Sequence, residues 1–137
     1  MQPTAAVPDS LTKLIIACAM TVHAPLGPGF LEAVYRACLW LELKAHGLHV
    51  EKERTTPLVY RGVRIDAVYR LDFIVEKSVL VEAKSVQALA PIDRAQVINY
   101  LKLTGLPVGL LINFNVPLLK DGIRRLEHPD LYHSRKQ

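Results

Sequence analysis

The segment that most restricts the fold is a helix held between two strands. Val79-Leu80-Val81-Glu82-Ala83-Lys84 reads as a strand. Pro91 opens a helix that runs to about Thr104 and stops at Gly105, and Val108 to Phe114 is a short, almost continuous apolar run. Proline suits the first helical position, where its missing N–H has no intrahelical partner. An apolar run of that kind is how a strand buried on both faces reads. Two strands joined through a helix are the crossover that parallel pairing needs.

The elements before this unit are legible by period. Leu11, Leu14, Ile15, Cys18 and Val22 form one helical stripe, so a first helix is expected from about Leu11 to His23, capped by Asp9 or Ser10. Pro25-Leu26-Gly27-Pro28-Gly29 cannot be helical throughout. A second helix is expected from about Phe30 to His46, with Gly47 as its C-terminal cap. The period then changes. Val50 to Arg54 and Leu58 to Tyr60 read as short strands, and Arg61-Gly62 as a tight turn into Val63-Arg64-Ile65. Tyr69, Leu71, Phe73 and Val75 alternate with Arg70, Asp72 and Ile74. After the buried run, Asp121-Gly122 reads as a turn before an edge strand at Ile123 to Leu126. The order is α-α-β-β-β-α-β plus an edge piece, which predicts an α/β fold with a mixed sheet and helices against it.

The chain has 137 residues, enough for one domain with a real core. One domain is expected over 9–132, with floppy ends at 1–8 and 133–137. Half of the residues are apolar and 22% are charged, which excludes a disordered chain. The long uncharged stretch from Leu103 to Leu119 is broken by glycines, prolines and asparagines, so no membrane span is expected. No basic segment followed by an apolar one marks a signal peptide at the start. Cys18 and Cys38 both sit in apolar runs and suit core positions in a reducing, cytoplasmic setting. The net charge of +4 is compatible with a nucleic-acid partner without identifying one.

Chemistry concentrates around one hairpin. If the Glu76-Lys77-Ser78 connection is centred on Lys77, Asp72 lies opposite Glu82 and both side chains point to one face. A two-residue turn would put them on opposite faces. Two like charges opposed in an apolar stretch are destabilising. A hard divalent cation such as Mg²⁺, which takes oxygen ligands, gives them a reason to stay. Lys84 is two residues beyond Glu82 and shares its face. An ammonium there can orient an attacking water and stabilise charge developing on phosphorus. The same residues also suit a solvent-facing strand with ordinary ion pairs. Two more pairs stand nearby in the fold order: Glu32 and Tyr35, three apart at the start of the second helix, and Gln96 and Tyr100, four apart on the third. Each pair also has a plain structural reading: a helix-end charge for Glu32, and an exposed Gln beside a half-buried Tyr.

Gly29-x-x-Glu32-x-x-Tyr35 resembles the signature of the GxxExxY protein family, a branch of the PD-(D/E)XK nuclease superfamily. The resemblance runs from about Leu11 to Arg125. It includes Leu26 to Gly29, Val81-Glu82-Ala83-Lys84, Gln96 to Leu103 and Gly109 to Phe114. It implies a restriction-endonuclease-like α-β-β-β-α-β core, here with an extra N-terminal helix and a C-terminal edge strand. It also implies a nuclease using Mg²⁺ or Mn²⁺ on nucleic acid, with DNA favoured. Glu32 is similar to the superfamily's extra acidic residue from the first core helix. Asp72 matches the Asp of the motif, and Glu82 and Lys84 its Glu-x-Lys. The Ala83 carbonyl would be a further metal ligand. Gln96 and Tyr100 resemble the Gln-x-x-x-Tyr element of a subgroup of DNA-repair-associated exonucleases, expected to touch substrate or steady the site. Leu71 stands where the motif often has proline.

Assigning three acids and one lysine to this site leaves a more basic remainder, which suits a polyanionic ligand. The histidines (23, 46, 49, 128, 133) lack zinc-ligand spacing. Trp40 reads as a core or interface anchor rather than a base-stacking platform. Arg61, Arg64 and Arg70 beside Tyr60 and Tyr69 suit either a nucleic-acid surface or a solvated sheet edge. The alternative to an enzyme is a non-catalytic nucleic-acid-binding or self-assembling homo-oligomer that keeps the nuclease core, with Val116-Pro117-Leu118-Leu119 as a contact.

Overall fold

A computed structural model describes residues 7–131, with only the backbone described at 67 and 68. Helices α1 (Asp9–Leu26) and α2 (Glu32–Ala45) come first. They are followed by strands β1 (Val50–Tyr60), β2 (Val63–Val75) and β3 (Val79–Lys84). Helix α3 (Pro91–Thr104), β4 (Val108–Asn113), a 3-10 turn (Leu119–Gly122) and β5 (Ile123–Glu127) complete the order. The strands form one mixed sheet in sequence order, with β3 and β4 parallel and every other neighbouring pair antiparallel. The crossover through α3 is the one the apolar run requires. Among the described residues no helix is long and apolar enough to cross a membrane.

The sheet separates two cores. On one face Phe73, Val75, Val79, Val81, Leu110 and Ile112 pack with Ile15, Cys18, Leu39 and Leu43 of α1 and α2. On the other, Ile74, Leu80 and Leu111 pack with Val97 and Leu101 of α3. β4 is buried along its whole length because helices cover both faces.

Several boundaries differ from the sequence reading. α1 begins at Asp9, so Asp9 is a first-turn acid and Pro8, not Asp9 or Ser10, is the capping position. It continues through Pro25 to Leu26, where Gly27 at φ 62° returns its N–H to His23 O at 2.8 Å. A proline in the last turn removes one donor without blocking the one residue that follows it, Leu26. α2 starts at Glu32 rather than Phe30, but its end is as expected: Gly47, at φ 74°, caps it, with Gly47 N–H donating to Lys44 O at 3.0 Å and Leu48 N–H to Leu43 O at 3.3 Å. The fragments at 50–54 and 58–60 are one strand: a register shift between Thr56 and Leu58 absorbs Pro57, which an edge strand tolerates. The fragments at 63–65 and 69–75 likewise merge into β2. Arg61 and Gly62, both at positive φ, make the tight turn, closed by the Tyr60–Val63 pair. Of the floppy ends expected at 1–8 and 133–137, residues 1–6 and 133–137 lie outside the described residues; Val7 is buried.

Candidate active site

The hairpin register places the carboxylates. Val75 pairs with Val79, Ile74 with Leu80 and Phe73 with Val81, as a connection centred on Lys77 requires. Glu76 and Lys77 adopt positive φ, and Ser78 N–H donates to Val75 O at 3.0 Å, which makes the three-residue turn. The ladder does not continue to Asp72 and Glu82. Instead the side chains replace it. Asp72 N–H donates to Glu82 Oε1 at 3.0 Å, and Ala83 N–H donates to Asp72 Oδ2 at 2.9 Å. Each carboxyl group takes a backbone donor that the parting strands leave behind, so neither N–H is orphaned.

β1 is disturbed at the same level. Lys52 pairs with Phe73 and Arg54 with Leu71, but Glu53, at φ 55°, skips the pairing with Asp72. A non-glycine residue in that conformation is uncommon inside a strand and marks local strain. The alternation also breaks: Phe73 belongs to the core under α1 and α2, Leu71 to the core under α3. Residues two apart in a regular strand share a face. The chain therefore rotates at Asp72, and the carboxyl pair sits where β2 leaves β3, between α2 and α3.

Both groups are shielded: Glu82 is 7% exposed and the Asp72 side chain 15%. Burial, then the Asp72 charge, pushes Glu82 up to about 8 from an ordinary 4.5, against backbone hydrogen bonding from Asp72 and the Lys84 charge. Asp72 is also raised, chiefly by burial, although the Ala83 N–H and the Arg36 charge pull it down. Tyr100 is raised by burial and by the neighbouring Glu82, Tyr69 and Asp72. A carboxyl pair in this setting favours one shared negative charge until a cation arrives.

Around the pair, Arg36 Nε stands 4.0 Å from Asp72 Oδ1, and Arg36 Nη1 donates to Glu32 Oε2 at 2.8 Å. Glu32 is thus held by the arginine one turn on, near enough to raise Asp72 electrostatically. Lys84 Nζ lies 4.0 Å from Asp93 Oδ1, whose other oxygen caps α3 by accepting Ala90 N–H at 2.8 Å. Gln96 and Tyr100 line a cleft of about 470 Å³ with Asn99, Lys102 and Tyr69. The Tyr69 and Tyr100 rings are 5.5 Å apart. A second cleft, about 330 Å³, is lined by Arg36, Trp40, Lys52, Glu53 and Asp72 on the α2 side.

The structure therefore brings Asp72, Glu82 and the Ala83 N–H into direct contact. Lys84, Tyr100 and Glu32 lie around them. Tyr35 is elsewhere: fully buried, it stacks on Phe114 at 4.7 Å, donates to Gly27 O at 2.5 Å and accepts Phe30 N–H at 3.2 Å. It ties down the loop that launches α2 and so positions Glu32 and Arg36 indirectly. Arg36, Asp93 and Glu53 were not singled out by sequence. Only the i, i+4 spacing of Glu32 and Arg36 offered a signal.

The donor set fits a hard divalent ion. Two buried carboxyl groups converge, each with one oxygen bound to backbone, leaving Asp72 Oδ1 and Glu82 Oε2. Among the described residues no group of three or more His, Cys, Asp or Glu is arranged to hold a metal. That leaves a two-carboxylate site of the kind Mg²⁺ uses with waters and substrate phosphates.

No curated protein and no solved structure matches the chain. The sequence model of the PD-(D/E)XK nuclease superfamily matches residues 9–126. That span takes in both α2 and the β2–β3 carboxyl pair, and the chain belongs to the PD-(D/E)XK nuclease superfamily.

Proposed function

We propose that this chain is a nuclease of the GxxExxY branch, hydrolysing phosphodiester bonds of DNA with Mg²⁺ or Mn²⁺. Superfamily members generally use divalent ions and act on nucleic acid. The observation that carries the reading is the reciprocal bonding of Asp72 and Glu82 where β2 and β3 part, with Lys84 beside them. A bound divalent ion would supply charge stabilisation at the phosphoryl group.

The chain's own residues do the rest. Asp72 and Glu82, with the Ala83 carbonyl, would hold the ion once Glu82 is ionised, and Glu32 would contribute a third acid at the rim. The Lys84 ammonium, steered by Asp93, hydrogen-bonds the attacking water and faces the phosphoryl oxygens. Water attacks phosphorus and gives up one proton to solvent, the bond to the leaving oxygen breaks, and that oxygen takes up one proton from solvent. Gln96 and Tyr100 contact the strand beside the scissile phosphate. A cytoplasmic location agrees with two free cysteines.

Cleavage of single- and double-stranded DNA with Mg²⁺ or Mn²⁺ tests this. Wild type should cut, and Glu82→Ala and Lys84→Ala should not. Cleavage surviving both substitutions removes the site.

A self-assembling homo-oligomer is the second reading, and the exposed Val59, Tyr60 and Val63 at the β1–β2 tip favour it. In the 116–119 segment Leu119 is buried and Val116 packs on the core, whereas Pro117 and Leu118 are exposed and leave a smaller contact. A large, metal-independent assembly by size exclusion, with no cleavage by wild type, would select this reading.

A further inference from the structure

The cleft on the α2 side of Asp72 contains groups that hydrolysis alone does not need. Ala33 and Ala37, one turn apart, leave that wall of α2 low, and Trp40, one turn further on, lines the same cleft. Trp40 lies over the buried Phe73 with ring planes 19° apart and centroids 6.5 Å apart. The ammonium groups of Lys52 and Lys44 stand 4.5 and 5.5 Å from the Trp40 centroid. Arg36 joins Lys52 on the cleft wall, next to Asp72.

We propose that this cleft is a nucleotide subsite in which Trp40 stacks one base of the bound strand while Lys52 and Arg36 meet its phosphate. The inference rests on the nuclease reading and adds where the neighbouring nucleotide goes. Three features support it. An aromatic ring ringed by cations is the usual platform for single-stranded nucleic acid, because every base has a π-face and every nucleotide a charge. The volume, about 330 Å³, lies within the range of small-molecule pockets. Asp72 lines the same cleft, so a nucleotide there abuts the carboxyl pair. Lys52 is exposed and its contact with Trp40 is on the surface, so a base can displace it at little cost.

Trp40 is the chain's only tryptophan, so its fluorescence reports on this cleft alone. The full chain is titrated in EDTA, which prevents cleavage, with a 5′-phosphorylated oligothymidylate of six nucleotides. A saturable change in emission is expected, and Lys52→Ala should weaken the Kd by about tenfold. Inorganic phosphate at the same concentration should leave the emission unchanged. Because Trp40 also touches Phe73, Trp40→Phe is used beside Trp40→Ala, with binding read by anisotropy of the labelled strand. The Phe variant should retain more affinity than the Ala variant. The proposal is overturned by no saturable change, by an equal change with phosphate alone, or by a Kd indifferent to Lys52→Ala. Cleavage without the fluorescence change would sink this subsite and leave the nuclease reading standing. A Lys52-dependent change without cleavage under Mg²⁺ or Mn²⁺ would do the reverse.

Discussion

Replacing Glu82 with glutamine should make the metal-free protein more stable while abolishing the proposed hydrolysis. Glu82 is buried beside Asp72 and pushed up to about 8 from 4.5. The folded chain therefore keeps a proton that the unfolded chain has released at neutral pH. Stability linked to that proton is complete below about pH 4.5 and is lost as pH rises through about 8. At about 1.4 kcal/mol per pH unit, holding the proton at pH 7 costs about 3 kcal/mol. Glutamine is neutral at every pH. Its Oε1 can accept Asp72 N–H as Glu82 does, and its amide can donate to the Asp72 carboxylate. Glu82→Gln should then gain about 3 kcal/mol at pH 7, or about 10 °C in Tm, and almost nothing at pH 4. Urea unfolding of both proteins at the two pH values, in EDTA, measures this. Equal stability at pH 7, or a gain as large at pH 4, would refute the reasoning.

Other substitutions test separate parts of the account. Tyr35→Phe removes the hydroxyl shared by Gly27 O and Phe30 N–H, and should cost about 1 kcal/mol in urea unfolding. The same variant should speed amide exchange at Phe30. Gly122→Ala would place a Cβ 2.1 Å from the backbone oxygen of Asn113, and should cost about 3 kcal/mol or more by the same method. Lys84→Met removes the cation that lowers Glu82, so the pH at which divalent ions bind should move upward, and cleavage should fall by about a hundredfold or more.

The parallel unit was legible because proline, glycine and a wholly apolar run leave few alternatives at 91–114. The β2–β3 register was legible because a three-residue connection and strict alternation admit one pairing near the turn. At the fourth position from that turn the pattern changes. The sequence pattern has Asp72 directly facing Glu82, whereas the strands part there and the carboxyl groups bind backbone N–H groups instead. No periodicity encodes that parting, which coincides with Glu53 leaving the β1 ladder. The roles of Arg36 and Asp93 depend on α2 and α3 packing beside the sheet end, a tertiary distance that spacing does not carry. Tyr35 was grouped with Glu32 by helical spacing, yet the two diverge: one is buried against Phe114, the other is paired with Arg36 at the surface. Trp40 suited a core position by composition, and half of that is right, since one side packs on Phe73 while the other lines a cleft.

The central claim is that Asp72 and Glu82 form a cation site held at one negative charge by a shared proton until it is filled. Calorimetric titration of Mn²⁺ into the wild-type chain and Asp72→Asn at pH 7, repeated in buffers of different ionisation enthalpy, tests it most directly. The account predicts saturable binding by wild type with about one proton released per ion, as Glu82 ionises, and loss of that binding in Asp72→Asn. No binding to wild type, or binding that persists unchanged in Asp72→Asn, would contradict it.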